Sequence, residues 1–426
     1  MIKETCFWWV DAPAPKSYRD KPLPAKTDVV VIGGGFTGTS AALRLAKGGA
    51  GVTLLEAETI GWGASSRNGG QALSCLYNTL TELIEQHGLE HAREMFRASV
   101  RAADTVARIV AEEGIDCDYA RNGNIEAASK PRHFERLKLE QETLAHVVDY
   151  EVRIVPPEEA ATELGTDAYH GLMVNERSGG LQPAKFVRGM AQAAERAGAE
   201  IHEGTRVLGI EKITSHNGSR FRVRTERGDI FTQEVFLAAN AWVGKIAPQF
   251  RQRVFPAESF VIATEPLPDD LARRLIPHRR VVYDTRNLVA YYTLSRENRM
   301  VWGGERTATG QSAERNIETL RRGMLKVFPE LGKAAIDYFW SGTLGMTLDQ
   351  TAHAGQVDGM WYSMCYVGHG VTLATYLGEQ MANAILGLES FNPFDGLAIP
   401  RMPFYQGQAW FVNLGKAWFQ LLDKVG

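Results

Sequence analysis

At 426 residues the chain is long enough for two domains sharing a cleft, and its 44% hydrophobic content is that of an ordinary globular protein. With 47 basic against 50 acidic side chains its net charge is −3, which gives no electrostatic reason to expect nucleic acid. The four cysteines, Cys6, Cys75, Cys117 and Cys365, are too scattered for a disulfide framework or a zinc site, and no run of about 20 apolar residues offers a membrane span, so thiols in a reducing cytoplasm are expected.

Residues 1–26 read as an N-terminal arm in which Phe7, Trp8 and Trp9 pack on the body. The β-branched run Val29-Val30-Val31-Ile32 then suits a buried parallel strand. It leads into Gly33-x-Gly35-x-x-Gly38 and a small-residue helix that stops at Gly48-Gly49, and a second strand, Val52 to Leu55, ends at Glu56. This is the pattern of a dinucleotide-binding βαβ unit. Gly33 permits the tight turn, Gly35 lets the backbone approach a pyrophosphate, and Gly38 lets the helix pack closely on the sheet. Glu56 is placed to accept from ribose hydroxyls and would repel a 2′-phosphate, which leaves FAD or NAD(H). A second small-residue cluster, Gly61 to Gln71, continues along the same extended ligand.

Helical patterns over Leu80 to Glu113 and Phe134 to Val147 flank or cover the cleft. From Arg206 the pattern becomes strand-like: Phe221, Val223 and Thr225 alternate with Arg220, Arg222 and Arg224, and Val235 to Ala239 follows. Closely spaced strands at 258–264, 280–284, 288–294 and 299–304 predict an antiparallel sheet, while Arg273, Arg274, Arg279 and Arg280 read as a solvated face. A helix is expected from about Ala313 to Phe328. Trp361 to Val367 reads as a strand that meets Gly368-His369-Gly370 and a helix from Val371 to Ile385. The positive end of that helix suits the N1–C2=O edge of a flavin. His369 has no second ligand at metal spacing, so no metal is expected. The tail over 401–426, with Trp410, Phe411, Leu414, Trp418, Leu421 and Leu422, predicts an amphipathic helix docked on the body or on another subunit.

Taken together, Val31 to Gly38, Ile60 to Gln71, Ser178-Gly179-Gly180, Trp340-Ser341-Gly342 and Gly368 to Thr372 resemble the D-amino-acid-oxidase-like FAD oxidoreductases. The resemblance implies an α/β and α+β architecture: a discontinuous Rossmann-like FAD-binding domain of the glutathione-reductase type over 27–80, 150–250 and 335–400, and a substrate domain built on an antiparallel sheet over 81–149 and 251–334. The family's FAD contacts carry over to Gly33, Gly35, Phe36, Thr37, Gly38, Glu56 and Ala57, and to Ser65, Ser66, Arg67, Asn68, Gly69, Gly70 and Gln71. They also reach Val207 by its backbone, Trp242, Gly345, Gly368, His369, Gly370, Val371 and Thr372. The implied reaction is oxidation of a C–N bond of a small amine or secondary amino acid by hydride transfer to flavin N5, with hydrolysis of the imine and reduction of molecular oxygen to hydrogen peroxide.

Candidates for the substrate cavity are Gln71, Trp340 and His369 from the flavin side and Tyr283, Tyr291, Tyr292 and Arg306 from the sheet, where each tyrosine reads equally well as a core or surface residue of the sheet. Arg306 either holds a substrate carboxylate or pairs with a local acid such as Glu305. Ala352 stands where the family usually has a proline. Sarcosine-oxidase-like relatives attach flavin through a cysteine near Leu344, and none is present there, so non-covalent FAD is expected. A dehydrogenase that delivers electrons to a quinone, and a flavin-binding protein without catalysis, are the alternatives.

Overall fold

The computed structural model describes residues 2–13, 16–216, 218–307, 312–405 and Gly415, with the side chains of 215–216 and 305–307 outside that description. The β-branched run lies at the centre of the first sheet, on the strand Lys26–Ile32, where Val29 to Ile32 are buried. This strand pairs in parallel with Gly228–Leu237 on one side and Val52–Leu55 on the other. Glu200–His202 extends the sheet beyond Val52–Leu55, and Met360–Met364 extends it beyond Gly228–Leu237, both in parallel. His353–Val357 closes that second edge as a hairpin. An antiparallel flap, Val207–His216 with Ser219–Thr225, continues from Gly228–Leu237. The two-residue period of the flap holds, with Phe221, Val223 and Thr225 buried while Arg220 and Arg224 face water.

Helices Phe36–Lys47, Leu89–Glu113, Pro183–Arg196 and Gly370–Ile385 share the largest apolar core. Small side chains at Ala41, Ala42, Ala374 and Ala382 let these helices approach one another closely. The continuous helical pattern from Leu80 divides at Gly88, which has φ +80° and separates Leu80–His87 from Leu89–Glu113.

The second sheet runs in the order 336–346, 255–264, 300–307, 291–294, 281–284, 124–127, 172–175, 153–155. Every join is antiparallel except the parallel one between 281–284 and 124–127. One face packs on helix Ala313–Val327 through Leu320, Met324 and Val327. Tyr292 stacks on Trp302 in this core at 4.4 Å and donates to the Tyr169 hydroxyl at 3.2 Å, so it does not face the cleft. Strands 153–155, 172–175 and 336–346 belong to this second sheet, although their sequence positions fall inside the segments assigned above to the FAD domain. The reason is register: Leu172–Asn175 pairs with Asn124–Ala127 along its whole length, and 336–346 pairs along the whole of 255–264.

The arginine-rich stretch also departs from expectation at one position. Arg280 is buried, donating to Glu163 at 2.8 Å, to both Glu176 oxygens at 2.6 and 2.8 Å, and to the Asn122 carbonyl at 2.7 Å. A bidentate partner and a backbone acceptor satisfy the guanidinium where water does not reach. The amphipathic helix expected over 401–426 lies outside the described residues, apart from 401–405 and Gly415. No helix among the described residues is long and apolar enough to cross a membrane.

Candidate active site

Two helix N-termini define the site. Gly33, with φ +115°, turns the chain off the first strand, and a Cβ there would lie 2.6 Å from the Ala238 carbonyl oxygen. Helix Phe36–Lys47 then begins at Gly35 with no side-chain cap. Glu56 accepts from the Gly34 and Glu58 amides at 2.7 and 2.9 Å, and Ser65 Oγ accepts from the Phe36 amide at 2.9 Å. Helix Gly370–Ile385 likewise starts behind His369 without a side-chain cap. Thr37 Oγ1 to Tyr366 Oη at 2.6 Å and Ser40 Oγ to the Thr375 carbonyl at 2.6 Å lock the two helices side by side. Both starts, Gly35 to Thr37 and Gly368 to Val371, open on one cavity of about 450 Å³.

The loop after Gly61 forms a neighbouring wall. Asn68 folds it by donating to the Ala64 carbonyl at 3.0 Å and accepting from the Gly70 amide at 2.8 Å. Arg67 donates to the carbonyls of Trp62 and Ser341 at 2.8 and 3.1 Å, with its guanidinium 4.2 Å from the centre of the Trp9 ring. The N-terminal arm packs as expected and clamps this loop from behind. Trp8 Nε1 donates to the Asn68 carbonyl at 2.8 Å and Trp9 Nε1 to Ser66 Oγ at 2.7 Å.

Of the residues singled out from sequence, Gly35, Phe36, Thr37, Ser65, Arg67, Asn68, Gly69, Gln71, Tyr283, Tyr291, Gly345, Gly368, His369, Gly370 and Val371 all line this cavity. Gly33, Gly38, Ser66, Gly70 and Thr372 do not line it but belong to the same turns and helix starts. Glu56 and Ala57 follow the second strand, Val207 begins the flap, and Trp242 is 38% exposed; none of these four lines the cavity. Trp340 does not line it either: its indole donates to the Arg67 carbonyl at 2.9 Å and it packs with Phe7 and Trp8 of the arm. The backbone of Arg306 pairs with Ser259, and its side chain lies outside the described residues. Gln71 lines the cavity while donating to the Val282 carbonyl at 2.9 Å, which ties the loop to the second sheet.

That sheet supplies the opposite wall. The Tyr291 ring covers Gly69, where a Cβ would stand 2.8 Å from the ring, and its hydroxyl meets Ser259 Oγ at 2.9 Å. Deeper in, a chain of polar contacts leaves His369. His369 Nε2 lies 3.6 Å from Cys75 Sγ, which lies 3.6 Å from Tyr283 Oη, and that hydroxyl donates to Glu126 Oε2 at 3.1 Å. Burial pushes the Cys75 thiol up to about 12 and the Glu126 carboxyl up to about 7. Arg286 also lines the cavity, with its Nε held by Asp284 at 2.7 Å. The helices expected to flank the cleft contribute Leu80, Glu82, Phe96, Arg136, Glu140 and Leu144. Sequence reasoning missed Cys75, Asn124, Glu126, Ser259 and Arg286. The one signal available was the alternation Asn124-Ile125-Glu126-Ala127, which announces a strand with a polar face but not that the face borders a cavity.

The family model for FAD dependent oxidoreductases matches residues 28–384. The chain belongs to this family. A gamma-glutamylputrescine oxidoreductase from Escherichia coli is 32% identical over 405 residues, covering 94% of this chain and 93% of the relative. A probable oxidoreductase, OrdL, from Haemophilus influenzae is 33% identical over 407 residues, covering 93% and 92%. Among solved structures, glycine oxidase from Geobacillus kaustophilus superposes with a TM-score of 0.76 at 20% identity, covering 89% of this chain and 99% of its own. L-proline dehydrogenase from P. horikoshii gives 0.74 at 22%, covering 87% and 98%. These two show the shared fold. FAD is the cofactor of the family, and the site fits it: two helix starts whose N-cap residues, Gly35 and His369, supply no side-chain cap border one cavity, and beyond the Phe36 amide that Ser65 Oγ takes, an anion or electron-rich edge finds backbone N–H groups at such ends.

Proposed function

We propose that the protein is an oxidase of small amines or secondary amino acids that cleaves a C–N bond. One observation carries this reading: the two helix starts border the same cavity as a tyrosine-bearing wall of the second sheet, so one cavity offers room for both cofactor and substrate. The names of the relatives support the substrate class, since one acts on gamma-glutamylputrescine and another on glycine. FAD, when bound, supplies the acceptor for a hydride from the carbon bearing the amine and passes the electron pair to oxygen, giving hydrogen peroxide.

The chain positions both partners. Gly33 to Gly38 and Ser65 to Gln71 hold the cofactor non-covalently, with Glu56 and Ala57 at the ribose end, Val207, Trp242 and Gly345 along its flank, and Gly368 to Thr372 at the ring. Gln71, Tyr291 and His369 would border the reacting carbon, the Arg306 side chain lying outside the described residues, and Trp340 holds the loop carbonyl of Arg67. Burial keeps Cys75 and Tyr283 protonated at neutral pH, so neither serves as a base. The wall therefore contributes position and exclusion of water. The imine product leaves for water to hydrolyse. The division proposed is an FAD domain over 27–80, 150–250 and 335–400 and a substrate domain over 81–149 and 251–334, with strands 153–155, 172–175 and 336–346 joined to the second sheet and helix Leu89–Glu113 packed in the first core. Four free thiols accord with a cytoplasmic setting.

The test is an anaerobic screen of the purified yellow protein with primary amines, N-methyl amino acids and gamma-glutamyl amines, followed by admission of air. Bleaching by at least one compound and about one peroxide per turnover are expected. A flavin that no compound bleaches overturns the reading, and bleaching without reoxidation by air assigns a different electron acceptor.

A further inference from the structure

The far end of the cavity holds a carboxylate that the proposed reaction does not use. Among the described residues four acidic side chains line the cavity, and three are compensated. Glu82 caps its helix by accepting from the Thr79 amide, Glu140 accepts from the Leu80 amide at 2.6 Å and from the Thr81 hydroxyl at 3.1 Å, and Asp284 is paired with Arg286. Among the described residues Glu126 has no ion pair and no backbone amide on it; its hydrogen-bond partner is the Tyr283 hydroxyl, and the Arg136 guanidinium acts on it only from beyond ion-pair distance. Two residues away on the same strand face, Asn124 also lines the cavity. It is 2% exposed and its Oδ1 has no hydrogen-bond partner. A buried acceptor without a donor costs about 1–3 kcal/mol, and a half-buried carboxylate without an ion pair is likewise under-compensated. Two such acceptors side by side in a cavity form a receptor for a group that brings several N–H donors and a positive charge.

We propose that Glu126 and Asn124 bind a second, non-reacting ammonium group of the substrate, so that the preferred substrates carry two amines. This rests on the reading above, in which His369 marks the reacting end. Cys75 and Tyr283 stand between His369 and Glu126, so an ammonium on Glu126 sits apart from the carbon being oxidised. The wall of the same cavity includes Leu73, Leu76, Phe96, Leu144, Val152 and Met173, apolar surface that suits a methylene chain.

Equilibrium dialysis of the dithionite-reduced holoenzyme, which cannot turn over, tests the site with 1,4-diaminobutane and n-butylamine at pH 8, where both are cationic. The diamine is expected to bind at least tenfold more tightly than the monoamine. Glu126→Gln abolishes that preference, and Asn124→Ala reduces it about threefold and serves if the first variant does not fold. In the unsubstituted protein the preference is lost as pH falls through about 7, the range in which Glu126 takes up a proton. The groups facing Glu126 are Tyr283, Cys75, Glu140, Arg136 and Glu82; burial raises the first two too far to titrate in that window. A diamine preference unchanged in Glu126→Gln, or monoamine binding lost to the same extent as diamine binding, overturns the proposal. Because no oxidation is required, a protein that shows this preference yet oxidises no amine refutes the proposed function alone.

Discussion

The two walls of the cavity are built on different physics. On the helix side the decisive atoms are backbone N–H groups, and glycines together with N-cap residues that make no side-chain cap let a ligand approach them. On the sheet side the decisive atoms belong to side chains, and which of them meet depends on strand register between segments far apart in sequence, as where 124–127 joins 281–284. Changes on the helix side should therefore remove the cofactor whatever the substrate, while changes on the sheet side should leave a yellow protein with altered binding. The largest expected effect lies at Gly33. Gly33→Val places a branched side chain at φ +115° against the Ala238 carbonyl, a cost on the order of 4 kcal/mol or more. Colourless protein with a sharply lowered Tm is the expected outcome, and full FAD content in the variant would break the comparison.

The arm gives the next largest effect and sharpens where the helix side ends. Trp8 is 3% exposed and holds the Asn68 carbonyl through its indole. Trp8→Ala is expected to cost about 3–4 kcal/mol and to weaken FAD retention, measured by dialysis and by absorbance of the protein fraction, by about tenfold. A large stability loss with FAD retention unchanged would confine the arm to packing.

Glu126→Gln should act with the opposite sign on stability. The folded carboxyl is raised from 4.5 to about 7 by burial, so folding favours its neutral form. Below 4.5 the carboxyl is protonated whether the chain is folded or not, and that favourable contribution is complete. As pH rises from 4.5 to about 7 it is lost. The variant should match the unsubstituted protein near pH 4.5 and exceed it by about 3 kcal/mol at pH 8, read by chemical denaturation at both pH values. Equal stability at pH 8 would mean that Glu126 is better compensated than its single partner indicates.

The contrast between the walls also explains what could be read from sequence. The turn at Gly33 to Gly38, the loop at Ser65 to Gln71 and the helix start at Gly368 depend on local backbone geometry, and local geometry leaves a mark at fixed spacing. The strands at 255–264, 291–294 and 300–307 were legible from composition and spacing, with ends displaced by a few residues. Facing was not legible. Tyr291 and Tyr292 are adjacent and chemically identical, yet one borders the cavity and the other stacks in the core on Trp302. Arg280 looked like its solvated neighbours because its acceptors, Glu163 and Glu176, come from distant segments. Trp340 stands next to a cavity-lining stretch, but the arm takes its ring.

The smallest effect tests the sheet wall at its most legible residue. The Tyr291 ring is held by the absence of side chains at Gly69 and Gly303, whose added Cβ atoms would meet it, while its hydroxyl bonds to Ser259 at 2.9 Å. Tyr291→Phe keeps the ring and removes that bond, which costs about 1 kcal/mol. FAD content should remain full, and if the hydroxyl serves only to position the ring, kcat should fall less than about threefold. Ser259→Ala removes the same bond from its other end, so the two changes should not add in the double variant. Additive losses in kcat would show instead that the Tyr291 hydroxyl reaches substrate directly, which would move Tyr291 from the frame of the cavity into its chemistry.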